Sequence, residues 1–211
     1  ETESVSLCMG ATPLLMDISS FPEIEQRDLS AFRLFVSGGA PIPSALVSQA
    51  KEKLSAKIVS VWGMTEVLAV TTVKLDDTDD LAASTDGVAT PHTAVSIVDG
   101  NRQPVPSGTE GVLETRGATL CVGYLKKPEL FELRDGWFDT GDLARMDDDG
   151  YIRITGRSKD IIIRGGENIS VVEIEGLLFE HPRIAAVAIV AMPDPRLGER
   201  ACAFVRLVDD E

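Results

Sequence analysis

Residues 137–166, WFDTGDLARMDDDGYIRITGRSKDIIIRGG, set Asp142 in a Gly-flanked turn. After a short hairpin they gather Arg157, Lys159 and Arg164 around Gly165 and Gly166. A carboxylate held in a turn accepts two hydroxyl hydrogen bonds, and a guanidinium with an amine close by faces an anion. That combination suits a ribose and its phosphate. The chain carries 34 acidic against 20 basic side chains, yet residues 151–166 hold four positive charges and one negative. A bound anion explains such a local exception.

Two further loops have the right chemistry for the same ligand. Gly38-Gly39-Ala40-Pro41 removes side chains, so that a flat ring can lie against backbone. By itself it is also a common turn. Trp62-Gly63-Met64-Thr65-Glu66 offers a stacking surface, a hydroxyl for a phosphate oxygen and a carboxylate for a magnesium ion. His92 and His181 belong to no motif and read as structural or solvent-facing. The serines show no nucleophile elbow, which leaves a hydrolytic triad without support. Asp147-Asp148-Asp149-Gly150 lacks the alternating spacing and distal Glu of a calcium loop; Asp-Gly between two strands is a hairpin turn.

The elements that must position these loops are legible in part. Arg33–Val36 is a short apolar strand, Ser44–Leu54 carries a helical stripe at Leu46, Val47, Ala50 and Leu54, and Lys57–Val61 is a second strand. A strand, a helix and a strand imply parallel pairing, with both following loops at the carboxyl edge of one sheet, where open α/β sheets bind ligands. Residues 76–93 are acidic and Thr-rich and read as a connection. Short strands are then expected at Ala94–Val98, Gly111–Thr115, Leu120–Tyr124, Leu143–Met146 and Tyr151–Thr155, an antiparallel sheet or small barrel. Beyond Lys159, strands at Ile161–Ile163, Ile184–Ala191 and Ala201–Val208 with a helix at Val171–His181 begin a small α+β unit. The expected class is therefore α/β and α+β, in three parts: 1–93, 94–156 and 157–211.

Bulk properties exclude several functions. With 211 residues and 44% hydrophobic content the chain can bury a core. A net charge of −14 argues against nucleic acid or an anionic membrane as the main partner. The longest apolar run, Ile184–Met192, is about half the ~20 residues a spanning helix needs and reads as a buried strand. Cys8, Cys121 and Cys202 are odd in number and widely spaced, which argues against a disulfide scaffold or a zinc site and fits a reducing, cytoplasmic setting. The chain opens on Glu1 and ends on Glu211 within a polar segment, so a piece of a longer protein is expected.

Taken in order, GGAP, WGMTE, TGD, GYIRITGRSKD and RGGENI…EIE resemble the adenylate-forming acyl-CoA synthetases, a superfamily that includes luciferases and the adenylation domains of peptide synthetases. Within it, GGAPIPSALV, VWGMTEV and AMPDPRLGERACAFV look most like ligases for short- and medium-chain or alicyclic acids, such as cyclohexanecarboxylate–CoA ligases. The resemblance implies that Gly39, Ala40 and Pro41 line adenine, and that Trp62, Gly63 and Met64 wall adenine from the acyl pocket. Thr65 touches the α-phosphate and Glu66 holds Mg2+. Asp142 takes both ribose hydroxyls, Arg157 reaches the ribose from the other side, and Lys159 is a hinge between the adenylation part and the C-terminal domain. Gly165 and Gly166 line the pantetheine channel of coenzyme A. The implied reaction joins a small-molecule carboxylic acid to ATP, giving an acyl-adenylate and pyrophosphate, and then to CoA, releasing AMP. The same residues serve an adenylation domain that loads a carrier-protein thiol, or a non-catalytic adenylate-binding relative. The family's phosphate loop and its C-terminal lysine are expected outside these 211 residues, and Asn168 stands where some branches carry a basic residue.

Overall fold

The computed structural model describes residues 3–40 and 42–208. Pro41, expected against adenine, lies outside the described residues.

The N-terminal part is a five-stranded sheet with strand order β1-β2-β3-β4-β5. Its strands are β1 (Leu7–Ala11), β2 (Leu34–Gly38), β3 (Lys57–Met64), β4 (Leu68–Thr72) and β5 (Val88–Ala89). The first three run parallel, as the strand–helix–strand pattern requires, and the last two turn back antiparallel. Helix α1 (Thr12–Ser20) links β1 to β2, and α2 (Ser44–Leu54) links β2 to β3. α2 has the bounds its stripe predicts, because Pro43 sets the N-cap and Leu46, Val47, Ala50 and Leu54 are all buried. Fully burying each such leucine contributes about 1.5–3 kcal/mol. These side chains form one core with Leu15, Phe35, Ile42 and Ile58.

Sequence patterning missed β1, α1, β4 and a short helix, α3 (Asp79–Ser84), inside the supposed connection. The acidic, Thr-rich run there is helix-starting chemistry. Thr78 accepts the Leu81 amide, and Asp79 and Asp80 occupy the first turn.

The second sheet is antiparallel and curled into a half-barrel, in the order β10-β9-β7-β6. It comprises β6 (Thr93–Val98), β7 (Gly111–Gly117), β9 (Trp137–Met146) and β10 (Ile152–Arg157), with β8 (Leu133–Arg134) beside β9. Asp147–Gly150 is the expected β9–β10 hairpin turn, in which Asp147 Oδ1 accepts the Asp149 and Tyr151 amides. Two expectations fail here. Leu120–Tyr124 is no strand: no strand faces it, Val122 is fully exposed and Tyr124 turns toward Glu66. Thr140-Gly141-Asp142 is no turn either but the middle of β9, where Gly141 at φ +72° bends the strand without breaking it.

The third sheet, β12-β11-β14-β13, follows residue 160. It contains β11 (Ile161–Arg164), β12 (Glu167–Ser170), β13 (Ile184–Asp194) and β14 (Gly198–Leu207), with α4 (Val171–Phe179) against β13. β12 was not foreseen, and α4 stops two residues short of His181. The first two sheets are sewn together: Asp86 N–H donates to Ile152 O, Ile152 N–H to Gly87 O, and Tyr151 Oη–H to Asp77. Among the described residues no helix is long and apolar enough to cross a membrane. Cys8, Cys121 and Cys202 are all free.

Candidate functional site

The seam between the first two sheets holds a cavity of about 130 Å³. Gly39, Ala40, Trp62, Gly63, Asp142 and Arg157 line it together. Residues up to 118 positions apart in sequence thus meet at one place. Each loop is where its strand must leave it: Gly39 and Ala40 follow β2, and Trp62 and Gly63 end β3. The two glycines of the first loop do different jobs. A Cβ at Gly38 would strike the Val61 carbonyl at 2.5 Å, so that glycine serves packing. Gly39 sits at φ +83° with nothing within 4 Å of a would-be Cβ, so it leaves open backbone facing the cavity. Thr12 Oγ1 donates to Ala40 O at 3.1 Å and ties the loop to α1.

Asp142 is 3% exposed. Its Oδ2 accepts the Trp62 indole N–H at 2.9 Å, and Arg157 Nε lies 2.9 Å from Oδ1. Apart from this ion pair with Arg157, buried Oδ1 has no partner. Burial pushes the Asp142 carboxyl above its ordinary range, while Arg157 and Trp62 pull it back. A buried acceptor with an unfilled position is costly in isolation and is what a ligand hydroxyl would satisfy. Arg157, itself largely exposed, covers it from the solvent side.

A one-residue bulge aligns the acid and the base. β10 pairs Ile154 with Ala144 and then Gly156 with Leu143, so Arg157 falls opposite Asp142. Without the extra residue, Arg157 would point to the other face. Sequence reasoning did not foresee the rest of the lining: Ile42, Val61, Asp86, Arg153, Ile154, Gly156 and Val172. Asp86 is the most unexpected. It is 9% exposed, and its Oδ2 accepts the Ile154 amide at 2.8 Å. Burial raises its carboxyl, with Arg153 and the Ile154 amide opposing. In sequence Asp86-Gly87 looks like an ordinary turn.

The remaining expected residues lie around the cavity rather than in it. Met64 and Thr65 line an open, mainly apolar trough of about 640 Å³ with Met9, Gly10 and Leu68, which shares Gly39, Val61 and Gly63 with the cavity. Glu66, half-buried at the β3–β4 turn, accepts the Tyr124 hydroxyl at 2.5 Å, and its backbone carbonyl accepts the Cys121 amide. The hydrogen bond to Glu66 is the first cause that pushes Tyr124 up to about 12. No group of three or more His, Cys, Asp or Glu gathers around Glu66 or elsewhere among the described residues. A lone carboxylate suits magnesium, which takes one or two protein oxygens and fills its shell with phosphates and water.

Lys159 and Arg157 edge a cleft of about 690 Å³ between the half-barrel and the third sheet. Ser158 anchors that joint by donating from both N and Oγ to Gly141 O. Gly165 and Gly166 are exposed at the β11–β12 turn, where the Gly165 amide donates to Leu197 O; they line neither the cavity nor the trough.

Known proteins share this fold. The model of the AMP-binding enzyme family matches residues 1–125, and that of the AMP-binding enzyme C-terminal domain matches residues 173–211. The chain is 43% identical to a medium-chain fatty-acid–CoA ligase of Escherichia coli, over 98% of its own length and 37% of that protein. It is 37% identical to a feruloyl-CoA synthase of an Amycolatopsis species, over 97% of its length and 42% of the relative. Among solved structures it resembles an amide bond synthetase from Marinactinospora thermotolerans (TM-score 0.90, 32% identity, 100% of this chain and 43% of that one). It also resembles an anthranilate CoA ligase in complex with anthranoyl-AMP (TM-score 0.87, 27% identity, 98% and 40%). The chain thus spans about two fifths of the length of the relatives it matches.

Proposed function

Because this chain belongs to the AMP-binding enzyme family, we propose that it forms the nucleotide-holding part of an ATP-dependent carboxylic acid–CoA ligase. The observation that carries the reading is Asp142. A buried carboxylate, with one oxygen held only by the exposed Arg157 guanidinium, lines a cavity with side-chain-free backbone and an indole. The ribose hydroxyls donate to Asp142, with Arg157 turning from cover to partner. Adenine lies along Gly39 and Ala40, walled by Trp62, Gly63 and Met64. Thr65 meets the α-phosphate. Glu66 holds Mg2+, which when bound neutralises phosphate charge.

An acid carboxylate attacks the α-phosphorus, pyrophosphate leaves, and the acyl-adenylate is then cleaved by the thiol of CoA to give thioester and AMP. In the first step the chain's residues position and stabilise charge. The apolar trough beside Met64 receives the acyl group. Lys159 serves as the pivot for the unit that begins near it, and Gly165 and Gly166, moved by that pivot, admit the pantetheine arm. Residues 1–93, 94–156 and 157–211 are the units this motion requires. The free cysteines support a reducing, cytoplasmic setting.

The test is AMP release from ATP by the complete gene product over a panel of carboxylic acids, with and without CoA. Acid-dependent AMP release that CoA accelerates is the expected result. Acid-independent hydrolysis, or no release with any acid, would overturn the ligase reading. The chain by itself is expected to show no pyrophosphate exchange near the rate of the complete protein.

A further inference from the structure

We propose that Asp86 selects the base: its carboxylate accepts the exocyclic amine of adenine at the end of the cavity remote from the ribose. The inference rests on the nucleotide reading above. β10 supplies the scale. Arg157 and Asp142 mark the ribose end, and Ile154 lies three residues back on the same face, because the bulge restores the alternation. The bulge makes those three residues span only the two partner-strand steps from Ala144 to Asp142, roughly 7 Å at about 3.3 Å per residue, the separation of a ribose ring from the far edge of its base.

At that far end stands Asp86, nine-tenths buried and lining the cavity. Its Oδ2 is committed to the Ile154 amide at 2.8 Å, with Arg153 Nη1 at 3.7 Å. Among the described residues Oδ1 accepts no hydrogen bond. Ile42, Val61 and Ile154 make the intervening walls apolar, so a flat base entering there finds Asp86 as its acceptor.

A carboxylate discriminates strongly between purines. The edge of adenine farthest from the sugar carries an amine that donates. The corresponding edge of hypoxanthine or guanine carries a carbonyl whose lone pairs would oppose the carboxylate. Sites built around a buried polar group reject the analogue that leaves it unpaired.

The experiment is calorimetric titration of the complete gene product with AMP, purine riboside 5′-monophosphate, which has hydrogen at C6, and IMP. Loss of a hydrogen bond to a charged acceptor predicts binding about tenfold weaker for the purine riboside, and weaker again for IMP. Asp86→Asn keeps an oxygen for the Ile154 amide and turns an amide NH2 toward the base. It should weaken AMP and close or invert the AMP-to-IMP gap, with an unchanged far-UV circular dichroism spectrum. IMP binding within about twofold of AMP by the unmutated protein overturns the proposal without needing any variant. So does an Asp86→Asn protein that loses both nucleotides by the same factor. AMP bound without base preference leaves the nucleotide reading standing and removes this one. No AMP binding at all removes both.

Discussion

The seam between the first two sheets and the third sheet beyond residue 160 are built on opposite principles. The seam buries carboxylates: Asp86 and Asp142 are both nine-tenths or more shielded, held by an indole, arginines and a backbone amide. The third sheet buries little beyond Ile162 and Ile189 and leaves Phe204, Val205, Val190 and Ile163 exposed. Ser170 Oγ–H donating to Thr155 O ties it to the half-barrel, and Phe179 at the end of α4 packs half-buried against the first core. Rigid burial fixes a recognition site, whereas so light an attachment permits one body to move against another.

That contrast can be broken by mutation. Leu113→Ala, in the half-barrel core at 0% exposure, should destabilise the chain by about 2–5 kcal/mol. Phe204→Ser on the third sheet, at 62% exposure, should stay within about 0.5 kcal/mol. Chemical denaturation compares the two, and equal losses would erase the distinction between the regions.

Ser170→Ala removes the tie to Thr155 together with the α4 N-cap bond from the Glu173 amide, and no core, so a loss of about 1–2 kcal/mol is expected. Hydrogen exchange should quicken in residues 161–207 and stay unchanged in β6, β7 and β9. Acceleration throughout would mean that the third sheet and the seam open as one unit.

The smallest effect sharpens the electrostatics. Burial raises the Asp142 carboxyl, so the folded chain keeps that proton to higher pH than the unfolded chain. Its stabilising contribution is therefore present in acid and is lost as pH rises from the ordinary carboxylate value through the raised one. Asp142→Asn should remove that slope and retain stability above the window, leaving the slopes from Asp86 and Glu114, which are raised by the same cause. Urea midpoints across acidic pH measure the difference, and a steeper slope in the variant would reverse the assignment.

What the sequence disclosed follows from how local each feature is. α2 was legible to the residue because its stripe, its proline and its burial lie within one stretch of chain. The GGA, WG and Asp142–Arg157 groups were legible as chemistry, and the parallel β2–β3 pairing brought the first two to one edge. α3 was hidden because Thr78 and two aspartates look like a polar linker until the cap bond is seen. Leu120–Tyr124 misled because apolar residues make a strand only when another strand faces them. Asp142 was read as held in a turn, yet a strand holds it, since Gly141 can take a positive φ within the ladder. Asp86 was beyond reach: the amide that holds its carboxylate belongs to Ile154, 68 residues away.

The central claim is that Asp142 is buried to take ribose hydroxyls, and calorimetry with AMP and 2′,3′-dideoxy-AMP tests it most directly. The chain should bind AMP about a hundredfold more tightly than the dideoxy nucleotide, two hydrogen bonds to a charged acceptor being lost. Asp142→Ala should bring AMP down to the dideoxy level. Equal affinity for both nucleotides in the unmutated chain would contradict the account.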